Sequence, residues 1–398
     1  MGKDEAKGVS GRGKVKRHYG RWALLALAGM MIPMPAVWWA AVPDNDIRIR
    51  VIDKTVPHAT YREHTALMWA LNHFKAVPVG FERPWQSDRD YVGYTPPREG
   101  ESAGSGIGVK LAQSHLDTID MLFIADAYGV YKGDYEKADD LFTHLDYSGR
   151  IYGGFSDEEA NLVAAFAGDD RRHVVAEFNT LGSPTSGSAR ETLGSVLGVK
   201  WTGWTGRYLN DLNDFTEVPH WAPRLYRRQT GKEWEYDGPG LLFVHEDQRI
   251  FVLRMGSEFR RPGPLVRVSD SASPLMEGVG DGVPFLFWFD VVEPRGGTSV
   301  LAEFKIEATA EGRRVMESFG LREVWPAVLQ GSTGPLRLYM AGDFSDNELG
   351  RGPYWLSWWP ALVMLGSTGD SVLDGRAFFF RFYVPLIGNI LKYAEERI

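Results

Sequence analysis

Apolar residues follow two rhythms along this chain, and the change between them predicts its elements. Trp22–Val42 is a run of 21 residues without a charge. Ile47–Ile52 (IRIRVI) alternates apolar and polar positions, the spacing of a strand with one covered face. Thr60-Tyr61-Arg62-Glu63 has the order of a capping box, in which a hydroxyl and a carboxylate satisfy free amides of a first helical turn. His64, Leu67, Leu71 and Phe74 follow at helical spacing. Val77–Gly108 is rich in proline, glycine and charge and reads as a long surface loop; Gly104, Gly106 and Gly108 within it match no phosphate-binding pattern. Met121–Asp126 (MLFIAD) is a continuous apolar run, as a strand buried on both faces requires. Ser156–Glu159 is a second capping box, opening a helix through about Ala167. His173–Phe178 (HVVAEF) is the next strand, and Ala189–Leu197 the next helix.

This alternation predicts an α/β fold with a mainly parallel sheet flanked by helices. The rhythm then shifts. Leu241–Met255 reads as a hairpin turning at Glu246–Gln248, and Phe285–Ala308 as a second hairpin turning at Pro294–Gly297. A helix near Arg313–Phe319, a strand at Leu336–Asp343 and a terminal helix from about Val384 return to the first pattern. The expected organisation is an α/β domain over 44–220 and 311–398, with an antiparallel β-rich subdomain inserted at 221–310.

Charge separates the amino terminus from the rest. Residues 1–21 carry seven basic and two acidic side chains, a balance of +5, whereas the remaining 37 basic and 50 acidic residues give −13. The chargeless run 22–42 lies between them. At about 1.5 Å per residue it spans roughly 30 Å, the thickness of bilayer hydrocarbon. Trp38 and Trp39 stand near its far end, where an aromatic belt belongs. The reading is a single-pass membrane anchor with a basic cytoplasmic tail (1–21), and everything after Pro43 outside the cell. A cleaved signal peptide ending near Ala40–Ala41 is the alternative. The net charge of −8 opposes a general nucleic-acid binder. The absence of cysteine among 398 residues excludes a disulfide scaffold, a thiolate metal site and a cysteine nucleophile.

In open α/β sheets, ligands bind beyond the carboxyl ends of the strands. Asp53 and Lys54 follow the first strand, Asp126 and then Tyr128 the second, Glu177 and then Asn179 the third, Asp343 and then Asp346 the last. Carboxylates gathered on one rim raise one another's pKa and can supply an acid and a base. Asp126, Glu177 and Asp343 are the candidate catalytic carboxylates; each would serve equally as a turn or cap residue, and Glu177 as a buried partner of Arg190 or Arg207. Trp201 and Trp204, in a stretch read as a loop (WTGWTGRYLNDLND), are candidates for stacking on a sugar, and Arg207 for binding a carboxylate or phosphate. Core packing is the other reading of both tryptophans, and of Tyr354–Pro360 (YWLSWWP). The candidate ligand-binding set is thus Lys54, Tyr128, Asn179, Trp201, Trp204 and Arg207. No metal or cofactor is expected: the nine histidines form no HExxH or His-x-His pattern, and the acidic run Asp134–Asp140 lacks the glycine of a calcium loop. No G-x-S-x-G elbow is present.

The order of LFIADAYGVY, YGGFSDEEANLV, VVAEFN and the closing LYMAGDFSD before a terminal helix resembles the class I glutamine amidotransferase-like, flavodoxin-like group of folds. The resemblance covers Ile47–Tyr208 and Pro326–Ile398 and rests on architecture. It implies a flavodoxin-like sheet. The amidotransferase reaction of that group needs a nucleophilic cysteine at a strand–helix elbow, and this chain has none. The expectation is therefore a membrane-anchored, extracytoplasmic module without amidotransferase activity that binds a polar or glycan ligand at the cell envelope. Two alternatives stand beside it: a carboxylate-dependent glycoside hydrolase, and a structural component that meets an envelope protein.

Overall fold

The computed structural model describes residues 22, 29, 33–98, 100–135, 149–331, 334–347, 352–366 and 375–397. A short helix α1 (Met34–Ala41) precedes β1 (Asn45–Asp53), α2 (Arg62–His73), β2 (Ala76–Pro78), β3 (Tyr91–Thr95), β4 (Ile107–Gly108) and β5 (Met121–Asp126). A small ribbon, β6 (Val130–Tyr131) with β7 (Arg150–Tyr152), leads to α3 (Asp157–Ala167), β8 (His173–Glu177), α4 (Gly187–Leu197) and β9 (Val199–Leu209). Then come α5 (Trp221–Thr230), β10 (Gly240–His245), β11 (Ile250–Arg254), β12 (Leu265–Val268), β13 (Val283–Pro284), β14 (Trp288–Pro294) and β15 (Ser299–Lys305). The chain closes with α6 (Ala310–Ser318), β16 (Val324–Gln330), β17 (Arg337–Met340), α7 (Trp359–Gly366) and α8 (Val384–Glu395).

The fold is mixed α/β around one large sheet. Its parallel strands run β3-β1-β5-β8-β17. Leaving out the short β2, which also pairs with β1 in parallel, that is the doubly wound order 2-1-3-4-5, whose switch point lies between β1 and β5. The register aligns the strand tips: Asp53 pairs with Asp126, Ile124 with Ala176, and Met340 with Glu177. Antiparallel strands β16, β15, β12 and β13 extend the sheet beyond β17. Two helix pairs, α2 with α8 and α3 with α4, flank it. The α3 start has its expected capping box: the Ser156 hydroxyl accepts from the Glu159 amide, and Glu159 accepts in return.

A second, antiparallel sheet runs β11-β10-β9-β14. It is fastened above the tip of β17. The Asp290 amide donates to Ala341 O at 2.7 Å, the Asp343 amide to Trp288 O at 2.9 Å, and the Tyr339 hydroxyl to the Asp290 carboxylate at 2.7 Å. Burial pushes the Asp290 pKa up to about 7, against the pull of those hydrogen bonds.

Several expectations change. The antiparallel part starts at β9, before residue 221, and it is divided between the two sheets. Leu241–Met255 does form the β10–β11 hairpin. Phe285–Ala308 does not form a hairpin: β14 pairs with β9, whereas β15 pairs with β12 and β16. Val77–Gly108 is no plain loop, because β2 and β3 pair with β1 there, β4 pairs with β3, and Trp85 and Tyr94 are buried. Thr60–Glu63 is not a capping box. Helix α2 starts after Tyr61 in a left-handed conformation (φ 50°) with no side-chain cap, and Glu63 is buried instead. Among the described residues no helix is long and apolar enough to cross a membrane. Apart from Trp22, Gly29 and residues 33–42, the expected anchor lies outside the described residues, as do the tail 1–21 and residues 136–140 of the acidic run.

Candidate functional site

A cavity of about 550 Å³ lies between the tips of the parallel strands and the second sheet. The strand tips supply its floor. At the switch point, Asp126 accepts hydrogen bonds from the Thr55 hydroxyl and the Tyr128 amide, both at 2.6 Å. Asp53 lies behind it with no solvent exposure; its carboxylate accepts from the Thr55 amide at 2.8 Å and sits 2.6 Å from His64 Nδ1. The other ring nitrogen, Nε2, is 2.9 Å from the Ser87 carbonyl, so it must carry a proton and donate. From α2, Arg62 grips Asp346 through two bonds of 2.7 Å, and both residues line the cavity.

The roof follows from strand geometry. Side chains along a strand point alternately to opposite faces. Trp201, Gly203, Thr205 and Arg207 of β9 face the cavity, and Trp204 turns the other way. Trp288 of β14 and Trp221 at the start of α5 complete an aromatic wall. The Arg207 guanidinium lies 5.6 Å from the centre of the Trp288 ring.

Among the described residues, four that line the cavity hold a buried side-chain polar atom with no hydrogen-bond partner: Glu63 Oε2, Asn179 Oδ1, Arg207 Nε and Asp343 Oδ1. Native proteins leave few such atoms, because each costs about 1–3 kcal/mol of desolvation. Burial, then the Asp53 charge, raises the Asp126 pKa well above the carboxylate range. Burial, then the charges of Asp346, Asp126 and Glu177, does the same to Asp343. Glu63 is pushed up to about 9 by burial and by Asp53. Burial lowers the Arg207 pKa, but a guanidinium stays protonated throughout the physiological range. Asp126, Asp343 and Glu63 are thus biased toward the neutral carboxyl, which both donates and accepts, beside the Arg207 and Arg62 guanidinium groups.

The structure brings Asp126, Asp343, Tyr128, Asn179, Trp201 and Arg207 onto one cavity wall system. It takes three of the sequence candidates elsewhere. Glu177 lies beneath the cavity and is fully buried, accepting from the Tyr383 hydroxyl at 2.8 Å and the Ser345 amide at 2.9 Å; neither Arg190 nor Arg207 pairs with it. Burial lifts its pKa to about 8. Lys54 is buried away from the cavity and bonds to both oxygens of Glu159 (2.7 and 2.8 Å) and to Gly154 O (2.8 Å), tying β1 to the start of α3. Trp204 packs edge-on against Phe251, Phe319 and His245. Sequence reasoning missed Thr55, Arg62, Glu63, Trp221 and Trp288. Thr55 lay two positions past a strand end already singled out, and Glu63 was absorbed by the supposed cap. Among the described residues no group of His, Asp and Glu could hold a metal ion.

No protein-family model matches the chain, and no curated protein matches it in sequence. Among solved structures it is similar to a glutamine amidotransferase from Thermotoga maritima, over 88% of this chain and 98% of that one, at 10% identity and a TM-score of 0.36.

Proposed function

We propose that the chain is a membrane-anchored, extracytoplasmic binding module that takes a small hydroxyl-rich ligand, of the size of an envelope glycan fragment, into the strand-end cavity. It performs no amidotransferase chemistry, since it has no cysteine to act as nucleophile. The observation that carries the reading is the set of four unpartnered buried polar atoms in residues lining a cavity walled by Trp201, Trp221 and Trp288. A sugar would answer both features: its hydroxyls pair with carboxyl, amide and guanidinium groups, and its apolar face stacks on an indole. The anchor and external location rest on the charge pattern of residues 1–42.

The test is a glycan-array screen with the full chain in detergent, followed by calorimetry on any sugar retained. Arg207→Ala and Trp201→Ala should each weaken binding about 10- to 100-fold, the worth of a hydrogen bond to a charged group or a stacked ring. Equal affinity in both variants would remove the cavity from consideration.

A glycoside hydrolase is the second reading, favoured by Asp126 and Asp343 lining one cavity. Such an enzyme needs one ionised and one protonated carboxyl. Burial raises both, with the Asp53 and Asp346 charges adding at Asp126 and those of Asp346, Asp126 and Glu177 at Asp343, which disfavours the ionised form that either would need as the base. Release of reducing sugar on incubation with a retained glycan would reverse this ranking.

A further inference from the structure

Large apolar side chains exposed to solvent are concentrated on two neighbouring segments far apart in sequence. Met34, Val37 and Trp38 on α1, with Val42 just after it, are 44–64% exposed. Trp355, Trp358 and Leu362, before and on α7, are 41–51% exposed. These are seven of the twelve exposed large hydrophobic residues among those described. The two segments lie side by side. The Ser357 hydroxyl donates to Pro35 O at 2.9 Å, and the Trp39 and Tyr354 rings meet edge to face at 5.9 Å. Both are pinned to the end of α2: Trp39 Nε1 donates to His73 O, and His73 Nδ1 donates to Tyr354 O, each at 2.8 Å. Residues 352–366 (GPYWLSWWPALVMLG) contain no charged side chain.

We propose that this joint surface rests on a lipid bilayer, so that Tyr354–Leu365 is a second membrane contact beside the amino-terminal segment. Three features select lipid over another protein. The chain reaches α1 through the uncharged residues 22–33, the first part of the apolar run that α1 completes. That run follows a tail of charge +5, which an anionic leaflet attracts. The exposed side chains include Trp38, Trp355 and Trp358, and tryptophan is the residue type that settles at the boundary of headgroup and acyl chain. The inference does not depend on what the cavity binds.

The absence of native cysteine permits a direct test. Single variants Trp358→Cys, Leu362→Cys and Thr230→Cys of the full chain are labelled with a polarity-sensitive fluorophore and reconstituted into vesicles of equal parts phosphatidylcholine and phosphatidylglycerol. Thr230 is exposed at the end of α5, whose first residue lines the cavity, and serves as the aqueous reference. The labels at 358 and 362 should shift to shorter wavelength and be quenched severalfold more than the label at 230 by doxyl-bearing lipid. Vesicle flotation with all three labels reading water would keep an amino-terminal anchor but overturn the second contact. A wavelength shift without quenching by lipid would mean that another protein surface covers the patch, and overturns it too. A chain that fails to float overturns both this contact and the anchor.

Discussion

Two groups of buried charge-bearing residues stand at the ends of the same parallel strands, and they differ in one respect. Around Lys54 every donor and acceptor is answered: its ammonium meets Glu159 and Gly154 O, and Glu159 also accepts from the Leu111 and Ser156 amides. Around the cavity, Glu63, Asn179, Arg207 and Asp343 each leave a polar atom unanswered. The first arrangement fixes β1 to α3. The second waits for something from outside. A charged residue at a strand tip is thus no guide to its role until its partners are counted.

The comparison can be broken from either side. The largest effect belongs to the satisfied group: Glu159→Ala leaves the Lys54 ammonium buried without a counter-charge, and should cost about 3–5 kcal/mol in urea unfolding. A paired Lys54→Met, Glu159→Leu variant should recover most of that loss, while Lys54→Met alone should not change ligand affinity in the folded protein. At the cavity the order reverses, with binding more sensitive than stability. Arg207→Ala should weaken binding about 10- to 100-fold, with unfolding changed by less than about 1 kcal/mol. Asp343→Ala should go further and stabilise the free protein by roughly 1 kcal/mol, since it deletes a buried acceptor that nothing satisfies, while reducing ligand affinity. A cavity variant that unfolds the chain as Glu159→Ala does would erase the distinction between the two groups.

Protons provide the finest probe. Glu177 holds its proton to about pH 8 and Glu63 to about pH 9 in the folded protein, whereas an unfolded chain releases a glutamate proton near pH 4.3. Between these limits the folded state binds more protons than the unfolded one, so stability is full below about pH 4.3 and falls as pH rises toward 8–9. Glu177→Gln keeps a neutral side chain that can accept from the Ser345 amide and donate to the Tyr383 hydroxyl. It should flatten the fall between pH 5 and 8, read as urea midpoints. An unchanged slope would show that Glu177 is ionised where it lies.

The parallel half of the fold was readable because burial on both faces turns each central strand into an apolar run that ends in a polar residue. Met121–Asp126 and His173–Glu177 are plain in this way. β9 was hidden by its glycines. Gly206 carries no side chain because the Phe289 ring crosses it, and a Cβ there would come within 2.5 Å of that ring. The glycines made a strand look like a loop, so the alternation that sends Trp201 and Arg207 into the cavity and Trp204 out of it was lost. Glu177 was singled out for standing in an apolar run. That setting instead marks the interior layer, where Tyr383 and Ser345 answer it. Arg62 and Trp288 had no local sign at all, since they reach the site through the pairing of distant elements.

The polarity of β1 sets the geometry of access. It begins beside α1, where the Asn45 amide donates to Lys75 O and the Lys75 ammonium to Val42 O, and it ends at Asp53, behind the cavity floor. Its nine residues make a rigid post of about 26 Å at roughly 3.3 Å per step. The strand tips that floor the cavity therefore stand one strand length away from α1.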